Sequence, residues 1–178
     1  PLVVGSTLII PNGELSSVST GVSNSAPPRC NTSGNPYRGG SGAEIDEYYA
    51  NPMPGGILTQ GLHGENAVDI AGPRGAPVLA AAAGTVIIAA DNGSWNGGYG
   101  NYVVIAHDNG TETLYAHLQL KGFAVSVGQS VAQGQVLGKE GSTGDATGPH
   151  VHFEVRGAEN LFAATCAVGE KVGTYSCD

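Results

Sequence analysis

The sequence predicts an all-β fold, an antiparallel sheet sandwich or barrel-like core with long loops walling a groove. Apolar stretches of strand length follow one another between Glu44 and Val155. Turn residues part them at intervals of roughly 8 to 12 positions, a spacing that favours a sandwich or barrel over helix-containing crossovers. Composition agrees: 29 glycines and 10 prolines among 178 residues supply many turns.

Taken in order, Val3-Val4-Gly5-Ser6-Thr7-Leu8-Ile9-Ile10-Pro11 is a short apolar strand ended by a Pro-Asn-Gly turn. Residues 14–42, rich in Ser, Gly, Asn and Pro, read as a flexible linker. The main domain is expected over 43–160, with strands at 77–82, 85–90, 101–107, 113–118, 124–127, 135–139 and 150–155, and residues 161–178 form a C-terminal tail. Ahead of the first of these strands, His63 lies in a glycine-rich loop flanked by Gly61 and Gly64.

Asn109-Gly110 marks a tight hairpin turn, which puts His107 at a strand end on the surface. In the next strand Leu114, Ala116 and Leu118 alternate with Tyr115, His117 and Gln119, so His117 takes the polar face. Tyr115 shares that face, either bordering a cleft or packed in the sheet. In the last strand, residues two apart share a face, so His150 and His152 point into one cavity while Val151, Phe153 and Val155 enter the core. Glu154 lies on the histidines' face and is expected to meet solvent rather than the site. The loops 91–100, with Trp95 and Tyr99, and 141–149 are long enough to wall a groove, where aromatic residues suit an extended peptide; local loop packing is the other reading of Trp95.

The chemistry-bearing residues are His63, Asp69, His117, His150 and His152. Neutral imidazole and carboxylate are zinc ligands, and a catalytic zinc takes three of them while keeping a fourth position for water. The His63…Asp69 segment, Tyr115-Ala116-His117-Leu118 and Gly148-Pro149-His150-Val151-His152, in this order, resemble the motifs of the lysostaphin-type (LytM-like, M23 family) zinc endopeptidases, which cut peptidoglycan peptides. The resemblance implies that His63, Asp69 and His152 bind one Zn2+. It implies that His117 and His150 stay off the metal as the catalytic pair that orients or deprotonates water and stabilises the tetrahedral oxyanion. One departure stands out. The family spacing is His-x-x-x-Asp, whereas His63 precedes Asp69 with five residues between, and Glu65 occupies the place four before the aspartate. Glu65 is therefore the alternative first ligand.

Two further likenesses are local. Val4-Gly5-Ser6-Thr7-Leu8-Ile9-Ile10-Pro11 resembles the closing strand of a LysM glycan-binding module, so 1–13 read as the end of such a module. The stretches 125–129 and 131–138 resemble the hybrid motif that the peptidase fold shares with lipoyl and biotinyl carriers, but no lysine sits at a carrier-type hairpin tip, which disfavours covalent cofactor attachment.

Charge narrows the partners. Seven basic against fifteen acidic side chains leave a net charge of −8, which argues against a nucleic-acid surface. No run approaches the roughly 18 apolar residues of a membrane span. The chain begins at Pro1 without a charged n-region or apolar h-region, so any export signal is expected to have been removed or to lie outside it. Of Cys30, Cys166 and Cys177, none forms a Cys-x-x-Cys pair; a Cys166–Cys177 disulfide would leave Cys30 unpaired, and sequence alone does not decide the pairing.

The expected function is zinc-dependent hydrolysis of stem or cross-bridge peptides of peptidoglycan by a secreted, periplasmic or cell-wall-associated monomer. Nothing resembles the paired acid and nucleophile of a glycosidase, so peptide rather than glycan is the expected substrate. The alternatives are a non-catalytic relative that binds or activates a wall hydrolase, and a carrier-like or carbohydrate-binding domain.

Overall fold

Seven strands paired edge to edge, each antiparallel to its neighbour, carry the architecture. The computed structural model describes residues 48–177. Its strands are β1 (Ile57–His63), β2 (Ala67–Ala71), β3 (Pro77–Leu79), β4 (Gly84–Ala90), β5 (Asn101–Ala106), β6 (Glu112–Leu118), β7 (Ser130–Val131), β8 (Val136–Lys139) and β9 (Val151–Arg156), followed by a short helix α1 (Leu161–Thr165). The large sheet runs β1-β2-β9-β6-β5-β4-β7, and β3 with β8 makes a second, two-stranded sheet. The expected all-β, antiparallel class is the one observed. The 1–13 and 14–42 readings and Cys30 lie outside the described residues.

The pleat sorts side chains to two faces. Val68, Ile70, Val103, Ile105, Tyr115, Val151, Phe153 and Val155 point to one face and pack with Val78, Ala80, Leu137, Met53 and Phe162 in the main core. Full burial of an aliphatic or phenyl side chain stabilises by about 1.5–3 kcal/mol. On the other face Val104, Leu114 and Ala116 pack under Tyr99, Tyr102 and Ile88.

Several expectations are corrected. Strands β1 and β2 precede the first expected strand. The alternation that would reveal β1 is broken by two register shifts against β2, between Leu58 and Gln60 and between Gln60 and His63. β2 reads as a nearly continuous apolar run because four of its five residues are buried. Residues 124–127 belong to no strand; Ala124 N–H donates to Leu137 O, and Ser126 bonds within its own turn, to Gln129. The segment after residue 160 is drawn into the structure, with Phe162 and Val172 buried in the main core and Cys166 bonded to Cys177. Its backbone joins the outer edge of β1: Leu58 N–H donates to Glu170 O, Gly169 N–H to Leu58 O and Val172 N–H to Gly56 O.

His107 is not a surface residue. The hairpin turn forms as expected, with Gly110 N–H donating to His107 O, but the rings of Tyr48 and Tyr49 cover the imidazole at 6.1 and 5.8 Å between centroids. Its Nδ1 lies 2.8 Å from Ala83 O, which can only accept, so Nδ1 carries the proton. Neutral Nε2 then accepts from the Thr113 hydroxyl at 2.8 Å. The Thr113 oxygen accepts from Tyr115 at 2.9 Å, and the Tyr115 oxygen accepts from Ala81 N–H at 2.7 Å. Tyr115 is thus a core residue.

Burial lowers the His107 pKa from its ordinary value of 6.5, with the Ala83 carbonyl opposing. The unfolded chain therefore takes up this proton at higher pH than the folded one, so stability is full above about 6.5 and falls as pH drops through that value. His107→Gln, which cannot take the proton, should be less stable than wild type at about pH 8 and lose part of that deficit by about pH 5. Thermal unfolding of both at each pH checks this; a deficit that stays constant would remove His107 from the acid response.

Candidate active site

Register brings the site together. Asp69 on β2 faces His152 on β9, and His152 faces Ala116 on β6, so three central strands present one row to the second face of the sheet. β1 adds His63, its last residue, opposite Ala67. The turn Gly64-Glu65-Asn66 takes up the long His…Asp spacing with two residues at positive φ, Gly64 at 51° and Asn66 at 61°. His63 Nε2 thereby reaches Asp69 Oδ1 at 3.2 Å.

His117 faces the site for a reason other than simple alternation. Between the pairs Val103↔Tyr115 and Asn101↔Leu118, β6 carries one residue more than β5. His117 sits in this bulge with φ of 61°, a left-handed conformation uncommon outside glycine. The bulge lets Ala116 and His117 face the same side, while Tyr115 and Leu118 on either side both enter the main core. The shared face expected for Tyr115 and His117 is corrected accordingly.

Each imidazole is oriented by its far nitrogen. His63 Nδ1 donates to Gly61 O at 2.8 Å, His117 Nδ1 to Thr143 O at 2.8 Å and His150 Nδ1 to Gly148 O at 2.9 Å. His152 is turned the other way, with Nε2 donating to Glu154 Oε1 at 3.1 Å. His63 Nε2, His152 Nδ1 and Asp69 Oδ1 then converge, His152 Nδ1 being 3.1 Å from both other atoms. His117 and His150 stand beside this trio, their rings 4.7 Å apart, and His150 Nε2 lies 3.6 Å from Asp69 Oδ2.

Electrostatics follow the packing. Burial alone would raise Asp69, but hydrogen bonds from His152 and His63 outweigh it and hold the carboxyl well below the usual carboxylate range. The hydrogen bond to Asp69 raises His63 against burial. Burial works to lower His152, yet its bonds to Asp69 and Glu154 prevail and bring it up to about 9. Burial pushes His117 down to about 4, which keeps that ring neutral at neutral pH.

Glu154 stands elsewhere than expected, and Glu65, the alternative first ligand, stays outside the trio. Glu154 is not solvent-facing: it is 1% exposed, with Oε1 accepting from His152 and, at 2.7 Å, from the Tyr99 hydroxyl, and Oε2 accepting from Arg156 Nε at 2.7 Å. Strand alternation had placed it on the histidines' face; the cover of Tyr99 and Arg156 is a tertiary effect. Glu65 is exposed and turns to Arg156 at 3.8 Å, away from the trio.

The five residues open into a cleft of about 380 Å³, walled on one side by Gly97, Gly98 and Tyr99 and on another by Asp145 and Thr147. The two walls come from the two loops expected to form a groove. They touch through backbone: Asp145 N–H donates to Gly98 O at 2.7 Å, and a Cβ on Gly100 or Gly144 would collide with the opposing loop. Trp95, 60% exposed, is not part of the cleft lining.

A family model, peptidase family M23, matches residues 63–163. The chain belongs to this family. It is 48% identical over 89 residues to the DD-carboxypeptidase/endopeptidase Mpg of Neisseria meningitidis, covering 50% of this chain and 19% of that protein. To the peptidoglycan DD-endopeptidase ShyC of Vibrio cholerae it is 39% identical over 104 residues, 58% of this chain and 23% of that one. The matched part therefore spans about a fifth of these relatives' length. Among solved structures it is similar to a putative peptidase M23 from Pseudomonas aeruginosa, with TM-score 0.53, 35% identity and coverage of 67% of this chain and 50% of that one. Lysostaphin from Staphylococcus simulans gives TM-score 0.51 at 30% identity, covering 65% of this chain and 48% of that one.

Proposed function

We propose that the chain is a zinc-dependent endopeptidase that hydrolyses peptide bonds of bacterial peptidoglycan, with His63, Asp69 and His152 as metal ligands and His117 and His150 as the catalytic pair. One observation carries this reading. With the far nitrogens of His63 and His152 committed as donors, their inner nitrogens converge on each other and on the Asp69 oxygen at 3.1 to 3.2 Å, sharing protons that raise both histidines and lower Asp69. A metal ion at that point would displace the shared protons and take one ligand atom from each of the three residues. Tetrahedral zinc with ligand bonds of about 2.0–2.1 Å needs ligand atoms roughly 3.3 Å apart, so donor set and spacing both fit. When bound there, zinc would supply Lewis acidity toward a carbonyl and an acidified water.

The protein's own groups do the rest. His117 and His150 each have one nitrogen fixed to a backbone carbonyl and line the cleft. The pair orients the attacking water, takes its proton and stabilises the oxyanion that forms on the substrate carbonyl. The cleft extends from Gln60 and Glu65 to Asp145 and Thr147, with polar groups along its lining, which suits an extended peptide more than a small molecule. Mpg and ShyC, by name a DD-carboxypeptidase/endopeptidase and a peptidoglycan DD-endopeptidase, support the peptide substrate. The Cys166–Cys177 disulfide supports an exported, wall-facing location, since disulfides persist in oxidising compartments. No helix among the described residues is long and apolar enough to cross a membrane. Within this reading, 43–160 form the peptidase domain, 161–178 a tail strapped to it, and 1–13 the end of a glycan-binding LysM module joined by the 14–42 linker.

Metal analysis tests the ligand set. His63→Ala, Asp69→Ala and His152→Ala should each lose most of one zinc per chain, and Glu65→Ala should keep it; zinc loss in Glu65→Ala alone would replace the first ligand. A wild-type chain purified without chelator and free of zinc would instead favour the non-catalytic binding reading.

Digestion of defined muropeptides, followed by mass spectrometry, should show new amino termini. New reducing ends without new amines would contradict peptide hydrolysis.

His117→Ala and His150→Ala should retain zinc and fold while lowering turnover by about 10²–10⁴. Zinc content, unfolding and hydrolysis are measured on the same samples. Zinc loss in His150→Ala would mean that His150 and His152 exchange roles, and unchanged turnover in His117→Ala would exclude that residue from the mechanism.

A further inference from the structure

We infer that Glu154 is a positioning residue for the metal centre, the carboxylate that makes His152 present Nδ1 rather than Nε2 to the ion; this rests on the zinc site proposed above. His152 differs from the other three cleft histidines. Their outward nitrogen is fixed by Nδ1 donating to a carbonyl two residues away, or to Thr143 O, which leaves Nε2 for the cleft. His152 has its Nε2 toward Glu154 Oε1 at 3.1 Å. A carboxylate oxygen accepts and does not donate, so Nε2 keeps its proton for Glu154, and the proton that Nδ1 shares with Asp69 Oδ1 at 3.1 Å is the one an ion would displace, which presents the Nδ1 lone pair to the metal. Without Glu154 nothing on that side of the ring would choose between the two tautomers.

Glu154 is itself held on every side. Oε1 also accepts from the Tyr99 hydroxyl at 2.7 Å, Oε2 accepts from Nε and Nη2 of Arg156, each at 2.7 Å, and the Tyr99 oxygen accepts from Arg156 at 3.4 Å. Such a carboxylate has no freedom to swing away from His152. Burying it at 1% exposure is costly unless fully partnered, and a merely structural acid would not need the imidazole as its fourth partner. Tyr99 also lines the cleft, so one carboxylate holds both a metal ligand and a wall of the substrate groove. Outer partners of this kind are worth about 10–100-fold in metal affinity.

The test uses the double variant Glu154→Leu with Arg156→Leu, which removes the carboxylate without stranding a buried guanidinium. Zinc dissociation constants are measured by competition with a chromophoric chelator, beside metal-free thermal unfolding and an Asp69→Ala control. The expected result is a folded double variant that binds zinc about 10–100-fold more weakly; a folded variant with wild-type affinity overturns the inference. Should the double variant not fold, the zinc-loaded wild type decides through imidazole ¹⁵N NMR, which should show His152 with Nδ1 on the metal and a protonated, hydrogen-bonded Nε2. Ligation through Nε2, or an Nε2 without its proton, overturns it. Zinc retained in Asp69→Ala would sink the site reading itself, a result distinct from loss of the role given to Glu154.

Discussion

The register of β9 between β2 and β6 is the constraint on which the rest depends. Side chains on a strand alternate, so one register fixes both faces: Val151, Phe153 and Val155 enter the core while His152 and Glu154 enter the site. A slip by one residue would drive an imidazole and a carboxylate into the core and put Phe153 in the cleft. Three apolar side chains at about 1.5–3 kcal/mol each oppose that slip, as does the cost of burying polar groups without partners, about 2–7 kcal/mol apiece in an apolar setting. Core packing and site assembly are therefore one event, and Asp69 needs only the neighbouring strand to arrive in place.

This explains which features were legible in the sequence. His150 and His152 were, because period-two alternation is a local property and their flanking Val and Phe residues show which face is inward. His117 faces the site as expected, but through an extra residue in β6 that no alternation count reveals; the same bulge is why Tyr115 faces the other way. β1 and β2 were hidden for opposite reasons, the first because two register shifts break its period, the second because burial on both faces erases it. Glu154 and His107 were misplaced outward because the residues that cover them, Arg156 with Tyr99 and Tyr48 with Tyr49, include partners brought from far along the chain or folded back over it. Cover of that kind leaves no trace in the local pattern.

The two buried polar systems differ in a way that matches their places. The chain from Ala81 N–H through Tyr115, Thr113 and His107 to Ala83 O begins and ends on backbone, so all its donors and acceptors are used within the core. It ties the β5–β6 hairpin to the segment after β3. The system on the other face is closed at Arg156 and Glu154 but ends in protons shared among His152, His63 and Asp69, which an ion can displace. Rigidity behind and displaceable protons in front are what a binding centre needs.

The C-terminal segment has a role that concerns the molecule's neighbours. A seven-stranded sheet has two edges, and an exposed edge is a template for another chain's backbone. One edge, β7, is only two residues long. The other, β1, is seven residues long, carries exposed Ile57 and Leu62, and is covered along Gly56–Leu58 by residues 169–172. Cys166 and Cys177 bracket the covering stretch. Reduction of that bond would loosen the cover and leave a bare apolar strand edge, so the disulfide guards against aggregation as well as unfolding. In a chain with only 12% charged residues to keep copies apart, that guard bears on whether the protein survives outside a reducing compartment as separate molecules.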